Sequence, residues 1–512
     1  MVTHKPAHYI NQQHNSASRR VECAATWVKK SQQHANFWPV NAVQSTRMDG
    51  DANSIEAQEV RATRPQRVSG IRRFFQAQQF YESIQPLFVI TFWHGLTPFF
   101  IKNDGAGNKK LKESIFGYIN TFLHITIYVA CYVLTLLNDF ETVAGYFFHT
   151  GVSHFGDTLQ IVSGLIGITI IYFTAMLPKH RLEHSLRTIQ DIDLLLHSVG
   201  VKIIYTKVLH YCYFSILVVF AVDTLYSVGN FLLLKSAGLE PSTPLYIVFT
   251  LQHTVISIAT AMYQGIVKML EMRLVMLNKV LKNLAHQWDN SIVKPMPKQR
   301  SLQCLDSFSM YTIVTNNPCE IIQESMEIHH MICDAASTAN KYFTYQLLTI
   351  ISIAFLIIVF DAYYVLETLL GKSAHESKFK TVEFVTFFSC QMILYLIAII
   401  SIVEGSNRAI KKSEKTGGIV HSLLNKAKNA ELKEKLQQFS LQLLHLKIHF
   451  TAAGLFNIDR TLYFTISGAL TTYLIILLQF TSNNEPEQQL TTMGPNGTTP
   501  LQNLVSNLTA DA

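Results

Sequence analysis

The sequence predicts an all-α membrane protein with seven transmembrane helices, the N-terminus cytoplasmic, the C-terminus extracellular, and an intracellular helical anchor domain. Three observations predict it. Of 512 residues, 49% are hydrophobic and only 15% charged, against roughly 25% charged residues in soluble domains. Seven stretches reach the length of about 20 apolar residues that a helix needs to cross a hydrocarbon core. The basic residues also fall almost entirely on one side of those stretches, the side expected to face the cytoplasm.

Residues 1–75 are polar, with Arg19, Arg20, Lys29 and Lys30 and no apolar core of the kind a secretory signal requires. They read as a disordered cytoplasmic arm, in which Trp27 and Trp38 are either docking points or incidental. Residues 76–114 form a juxtamembrane segment. Its weakly apolar stretch 81–101 holds Gln85, Pro86, His94, Gly95 and Pro98 and reads as an interfacial or re-entrant helix. Spans 1–4 follow within 115–270, at 115–137, 158–177, 208–234 and 245–270. Residues 271–345 are a cytoplasmic loop with helix extensions, in which 271–288 continues the fourth span and Lys294 to Arg300 is a flexible linker. Spans 5 and 6 occupy 346–370 and 381–403.

In 404–460, apolar residues recur at Ile419, Leu423, Leu436, Phe439, Leu443, Leu446 and Phe450 with helical spacing. Two readings are open, a packed anchor subdomain and an amphipathic helix lying on anionic lipid. The narrow stripe, like a bundle seam, favours the first. Span 7 is 461–480, and 481–512 is an extracellular tail.

Charge sets the direction. The segments 1–114, 178–207, 271–345 and 404–460 together hold 37 Lys and Arg, and the opposite segments hold 4. The tail has no basic residue and carries sequons at Asn496 and Asn507, which fits an external, glycosylated C-terminus. The net charge of +7 is thus a matter of sidedness, and no nucleic-acid partner is expected. The direction is opposite to that of G-protein-coupled receptors, and no DRY or NPxxY pattern ends a span. Seven cysteines include no CxxC. Cys304, Cys319 and Cys333 lack zinc spacing, and His329 and His330 with Cys333 lack a second ligand pair. Neither metal nor cofactor is expected. No catalytic motif marks an enzyme, and no repeat between the halves supports the alternative of a multi-pass transporter.

Ionisable and polar groups inside spans usually face a cavity or a partner. Asp223, Tyr226, Asn230, Gln252, His253, Asp361 and Tyr364 lie toward the outer halves of spans, and Gln391 nearer the middle. Donors and acceptors beside aromatic rings suit a small polar or amphiphilic ligand, so these residues are the candidate binding site. The alternative is interhelical hydrogen bonding that only holds the bundle together. Glu367 either joins them or snorkels to the outer interface.

Thr472 to Phe480 reads TYLIILLQF and resembles the TYhhhhhQF signature (h hydrophobic) that ends the last span of insect gustatory receptors. Ala453 to Asp459, Ile328-His329 through Cys333-Asp334 to Leu348, and Gln85-Pro86 through Pro98 are also similar to that family, so the resemblance runs from about residue 80 to 480. It implies a ligand-gated, non-selective cation channel in the plasma membrane of sensory neurons. It implies a tetramer, homomeric or mixed with other gustatory receptors, with four last helices around one pore and tastants bound within each subunit's bundle. It places Gln479 and Phe480 at the gate, where the residues alone favour interfacial anchors. With Gln479 toward the pore, Ile476, Ile475, Thr472 and Gly468 share its face, an apolar stretch with a polar end that can gate by dewetting. Regions 152–162 and 326–367 resemble the bitter-type, multimodal branch more than the sugar branches, with a fructose-type receptor as the alternative.

Overall fold

The computed structural model describes residues 75–103, 109–137, 151–236, 243–290, 302–304, 309–312, 317–370 and 381–483. All belong to one compact unit within 69–512. The N-terminal arm up to residue 74, the linker at 294–300 and both sequons lie outside the described residues.

Among the described residues, seven helices are long and apolar enough to cross a membrane, and they coincide with the seven expected spans. They are α2 (Ile115–Leu137), α3 (Gly151–Met176), α5 (Tyr205–Ser236), α6 (Thr243–Asn290), α7 (Pro318–Leu369), α8 (Thr381–Lys426) and α10 (Thr461–Asn483). Three further helices, α1 (Phe80–Trp93), α4 (Lys179–Ser198) and α9 (Ala430–His445), do not qualify. At 1.5 Å per residue α6, α7 and α8 are each about 70–80 Å long, more than twice a hydrocarbon core of about 30 Å. Their charged ends therefore project beyond it together. The side chain of Asn278 on α6 donates to the Lys412 carbonyl on α8 at 2.8 Å.

The projecting ends form a packed subdomain. Asn317 and Asn429 cap α7 and α9, accepting from Cys319 and Glu431 backbone N–H at 3.1 Å each. Leu432, Leu436 and Phe439 of α9 are buried, and Gln442 donates to the Met326 carbonyl at 2.9 Å. The helix therefore lies on α7 and α8. His329 is buried there against the Phe439 ring, with centroids 6.0 Å apart, and burial pushes its imidazole down to about 4. Phe450 does not continue the helical stripe. The helix ends at His445, and Phe450 is buried from an extended segment whose hairpin turns at Ala453 (φ 51°) and Gly454 (φ 74°). Asn340 and Thr344 of α7 hold that segment, accepting from the N–H groups of Thr451 (3.1 Å) and Ala453 (2.7 Å).

The stretch expected as one helix over 81–101 is broken. Helix α1 contains Pro86, stops at Trp93 and turns back at Gly95 (φ 67°) into strand β1 (Phe99–Asn103), which pairs antiparallel with β2 (Lys109–Glu113). Fourteen residues reach only about 21 Å, too short to span. Helix α1 is also buried: Phe80, Ile84 and Phe88 are at most 3% exposed. A buried ion pair anchors its base. Arg273 of α6 grips Asp193 of α4 through Nε (2.9 Å) and Nη2 (2.8 Å). Its guanidinium carbon also stands 5.5 Å from the centre of the Phe80 ring. Tyr205, at the start of α5, donates to the same carboxylate at 3.0 Å. Three short strands, β3 (Val201–Ile203), β4 (Leu302–Cys304) and β5 (Ser309–Thr312), form a sheet with β5 central. With strands of three or four residues, it leaves no periodic trace in the sequence.

Candidate ligand site and the uncovered last helix

A buried glutamine in lipid is costly unless its amide is satisfied. Gln252 on α6 solves this across three helices. It accepts from the Tyr128 hydroxyl of α2 at 3.2 Å and donates to the Tyr395 hydroxyl of α8 at 3.1 Å. The reach depends on Gly164 of α3, where a Cβ would stand 2.7 Å from Gln252 Oε1. Beside this bridge lies a narrow, partly open cavity of about 40 Å³. Its walls include Gln252, Gln391, Gln160, Tyr128, Ile357 and Phe388. The Gln160 Nε2 has no hydrogen-bond partner among the described residues.

Next to the bridge, His253 is stacked between Tyr226 and Tyr395, with centroids 4.7 and 4.9 Å away. Its Nδ1 faces the Phe249 carbonyl at 2.8 Å. Nδ1 therefore carries the proton, and Nε2 presents a lone pair that finds no partner among the described residues. Asn230 stands beside the Tyr226 hydroxyl. Asp223 accepts from Ser257 at 2.9 Å through Oδ1, while its Oδ2 has no hydrogen-bond partner among the described residues. Asp361 is fully buried, and neither of its carboxylate oxygens has a hydrogen-bond partner among the described residues.

Of the eight residues proposed from sequence, Gln252 and Gln391 face the cavity. Tyr226 and His253 form the stack behind it, with Asn230 at its edge. Tyr364 packs on the cavity residue Phe388 at 5.2 Å between rings. Asp223 sits at the α5–α6 contact. Glu367 does not snorkel. It is 1% exposed, because α7 is the most enclosed of the long helices. Tyr128, Gln160 and Tyr395 were missed. Each is a polar side chain within an otherwise apolar stretch, the signal that did reveal Gln252.

Helix α10 is covered on one face only. Tyr463, Ile466, Leu470, Leu474, Leu477 and Leu478 pack on the rest of the chain. At about 100° per residue, Gly468, Thr472, Ile475, Ile476 and Gln479 lie on the opposite face, and all of them are exposed. Phe480 is also exposed, at 61%.

The sequence profile of the 7tm chemosensory receptor family matches residues 84–484. A Drosophila melanogaster protein named as gustatory receptor 28b is 68% identical over 415 residues, covering 81% of this chain and 88% of that one. Another, named as gustatory receptor 28a, is 33% identical over 433 residues, 80% of this chain and 93% of that one. Among solved structures, the insect olfactory receptor OR5 from Machilis hrabei in complex with eugenol matches with a TM-score of 0.53. It is 13% identical, and the match covers 78% of this chain and 97% of that one. The likeness at that identity is one of fold.

Proposed function

Since the chain belongs to the 7tm chemosensory receptor family, we propose that it is a gustatory receptor working as a ligand-gated, non-selective cation channel. Its ligand is a small tastant, bitter-type rather than sugar-type, bound in the cavity beside Gln252 and Gln391. Four copies, of this chain or of this chain with other gustatory receptors, surround one pore in the plasma membrane of sensory neurons. The N-terminus and the packed subdomain are cytoplasmic, and the tail with Asn496 and Asn507 is extracellular. The solved relative of the same fold holds eugenol, a small aromatic molecule, which supports a ligand of that size.

The observation that carries the channel reading is the uncovered face of α10. A helix facing only lipid has no use for Gly468, Thr472 and Gln479 in line. A water-filled pore has, because hydroxyl and amide dipoles hydrate a passing ion while Ile475 and Ile476 form an apolar constriction. Ligand binding reaches that helix through α7 and α8. Phe388 lines the cavity and shares a buried cluster with which Leu474, Leu477 and Leu478 pack. The test is whole-cell recording from cells expressing this chain alone, against a panel of bitter compounds, nucleosides and sugars. A dose-dependent, non-selective cation current is expected. Surface-expressed receptor that binds ligand without conducting, both alone and co-expressed with other gustatory receptors, would refute the channel reading. Enzymatic deglycosylation of intact cells reads the direction of the tail.

A further inference from the structure

A second cavity lies on another face of α6 and shares no lining residue with the one beside Gln252. It is the roomier of the two, about 280 Å³ against about 40 Å³, and is partly open. One wall is the tip of α1. A helix end among membrane spans is costly, because its last carbonyls have no partner within the helix and lipid supplies none. Side chains of α2 and α3 satisfy them here. Asn120 donates to the carbonyls of Phe92 (2.7 Å) and Trp93 (3.2 Å), Thr121 to that of Gly95 (2.6 Å) and Tyr172 to that of His94 (3.2 Å). The turn lies so close to α2 that a Cβ on Gly95 would stand 2.9 Å from His124 Nδ1. His94 and His124 thereby line one cavity.

The hydroxyl donors of that lining are already committed. Tyr172 serves the His94 carbonyl, Tyr246 and Thr250 meet Ser227 of α5, and Thr254 donates to the Thr250 carbonyl at 2.9 Å. The histidines are left as acceptors. His94 Nδ1 faces the Ile90 carbonyl at 3.1 Å, and His124 Nδ1 faces the Asn120 carbonyl at 2.9 Å. Each Nδ1 therefore carries the proton, and each Nε2 presents a lone pair that has no hydrogen-bond partner among the described residues. The rest of the wall is apolar, with Ile247, Leu251 and Val255. Its residues on α2, α3 and α6 all lie in membrane-spanning helices. An anion would meet two lone pairs there, and an ammonium would leave its charge unpaired in apolar surroundings. An apolar cavity of about 150 Å³ admits benzene, so this one has room for a ring and several substituent carbons.

We infer that this second cavity is a binding site for small, neutral, apolar molecules that carry a hydroxyl, such as alkylphenols, with His94 and His124 as the acceptors for that hydroxyl. The apolar body lies against Leu251 and Val255. The inference does not depend on the channel reading, since its test measures binding alone.

The test measures equilibrium binding of two probes of matched shape to the purified full-length receptor in lipid nanodiscs, 4-tert-butylphenol and 1-tert-butyl-4-fluorobenzene, which has no donor. Empty nanodiscs supply the correction for partitioning into lipid. One hydrogen bond of ordinary net strength should make the phenol bind about fivefold more tightly. His94→Asn with His124→Asn should remove that preference by weakening the phenol alone, because an Asn side chain reaches the Nδ1 position but not the Nε2 position. His94→Gln with His124→Gln, whose amide oxygens reach the Nε2 position, should keep it. If the double Asn variant is not recovered as folded protein, the single variants decide: at least one Asn substitution must lower the preference where Gln at the same position does not. Leu251→Trp fills the cavity and should weaken both probes. Equal affinity for the two probes in the unmodified receptor, or an undiminished preference in the Asn variants, overturns the inference. It also falls if Leu251→Trp shifts neither probe while Phe388→Ala shifts both, since the probes then occupy the first cavity.

Discussion

Substituting Met for Arg273 removes a guanidinium that the fold has taken almost completely out of water. The pair side chains of Arg273 and Asp193 are 1% and 3% exposed, so solvent screening does not soften the loss. Burial pushes the Asp193 carboxyl up, and only Arg273 and the Tyr205 hydroxyl pull it back. Arg273→Met therefore leaves a buried carboxylate with one neutral donor. Breaking such a pair from one side costs about 3–5 kcal/mol, and the lost contact with Phe80 adds about 0.5–2 kcal/mol. A folded domain has a total stability of only about 5–15 kcal/mol. The variant should show a sharply lower midpoint in thermal unfolding of detergent-solubilised protein and reduced surface expression.

The sign reverses when both partners go. Replacing a buried ion pair by apolar residues of similar volume is often neutral or stabilising by about 1–4 kcal/mol. Asp193→Leu with Arg273→Met, and Tyr205→Phe to retire the orphaned hydroxyl, should therefore melt above either charge-removing single variant. Arg273→Lys should fall between, since an ammonium keeps the charge but loses the two-pronged contact. If the combined variant melts at or below the single ones, the cost does not come from an unpaired buried charge, and the argument fails.

Gly164→Ala should shift the ligand dose response without reducing surface expression, because the new methyl displaces Gln252 Oε1 from 2.7 Å. Gly229→Ala, with nothing within 4 Å, is the control that should leave it unchanged. Gln479→Ala should alter open probability or permeation in single-channel records; unchanged currents at normal surface density would remove Gln479 from the pore. The imidazole of His329 is held near 4 when folded, against 6.5 free. The unfolded state then binds the extra proton, so stability is lost as pH falls from about 6.5 toward 4. Between pH 7 and 4.5 the packing of α9 should weaken by on the order of 2–3 kcal/mol, read as faster amide exchange over residues 430–445. His329→Phe should abolish that pH dependence.

The spans were legible because lipid imposes one rule on every residue of a helix: about twenty apolar positions in a row. Helix breaks were harder to read. The stretch between Phe88 and Phe99 is interrupted by His94, Gly95 and Pro98, yet those residues did not say where the helix ends, and it is at Gly95 that the chain reverses. Polar residues in spans pointed to Gln252 and His253, since any such group needs a reason to be there. Which partners they take was hidden, because Tyr128 and Tyr395 come from helices 124 and 143 residues away. Arg273 was read only as one more positive charge on the inner side. Its burial depends on α1 and α4 closing over it, a tertiary fact with no local signature.

Helix α7 links these separate features. Its Ile357 walls the cavity, its Asn340 and Thr344 hold the hairpin that leads into α10, and its Phe355 meets Tyr473 of α10 with rings 6.0 Å apart. Of the helices that wall the cavity, α7 and the Phe388 cluster of α8 are packed against the inner face of α10, so a ligand that displaces either acts on that helix. Leu478 lies in that contact but touches neither cavity nor uncovered face. Leu478→Ala, a partly buried truncation costing on the order of 2 kcal/mol of packing, should reduce maximal ligand-evoked current while ligand affinity changes by less than about threefold. Full currents from Leu478→Ala at normal surface density would mean that the signal reaches the pore by another route, through the hairpin at Ala453 and Gly454.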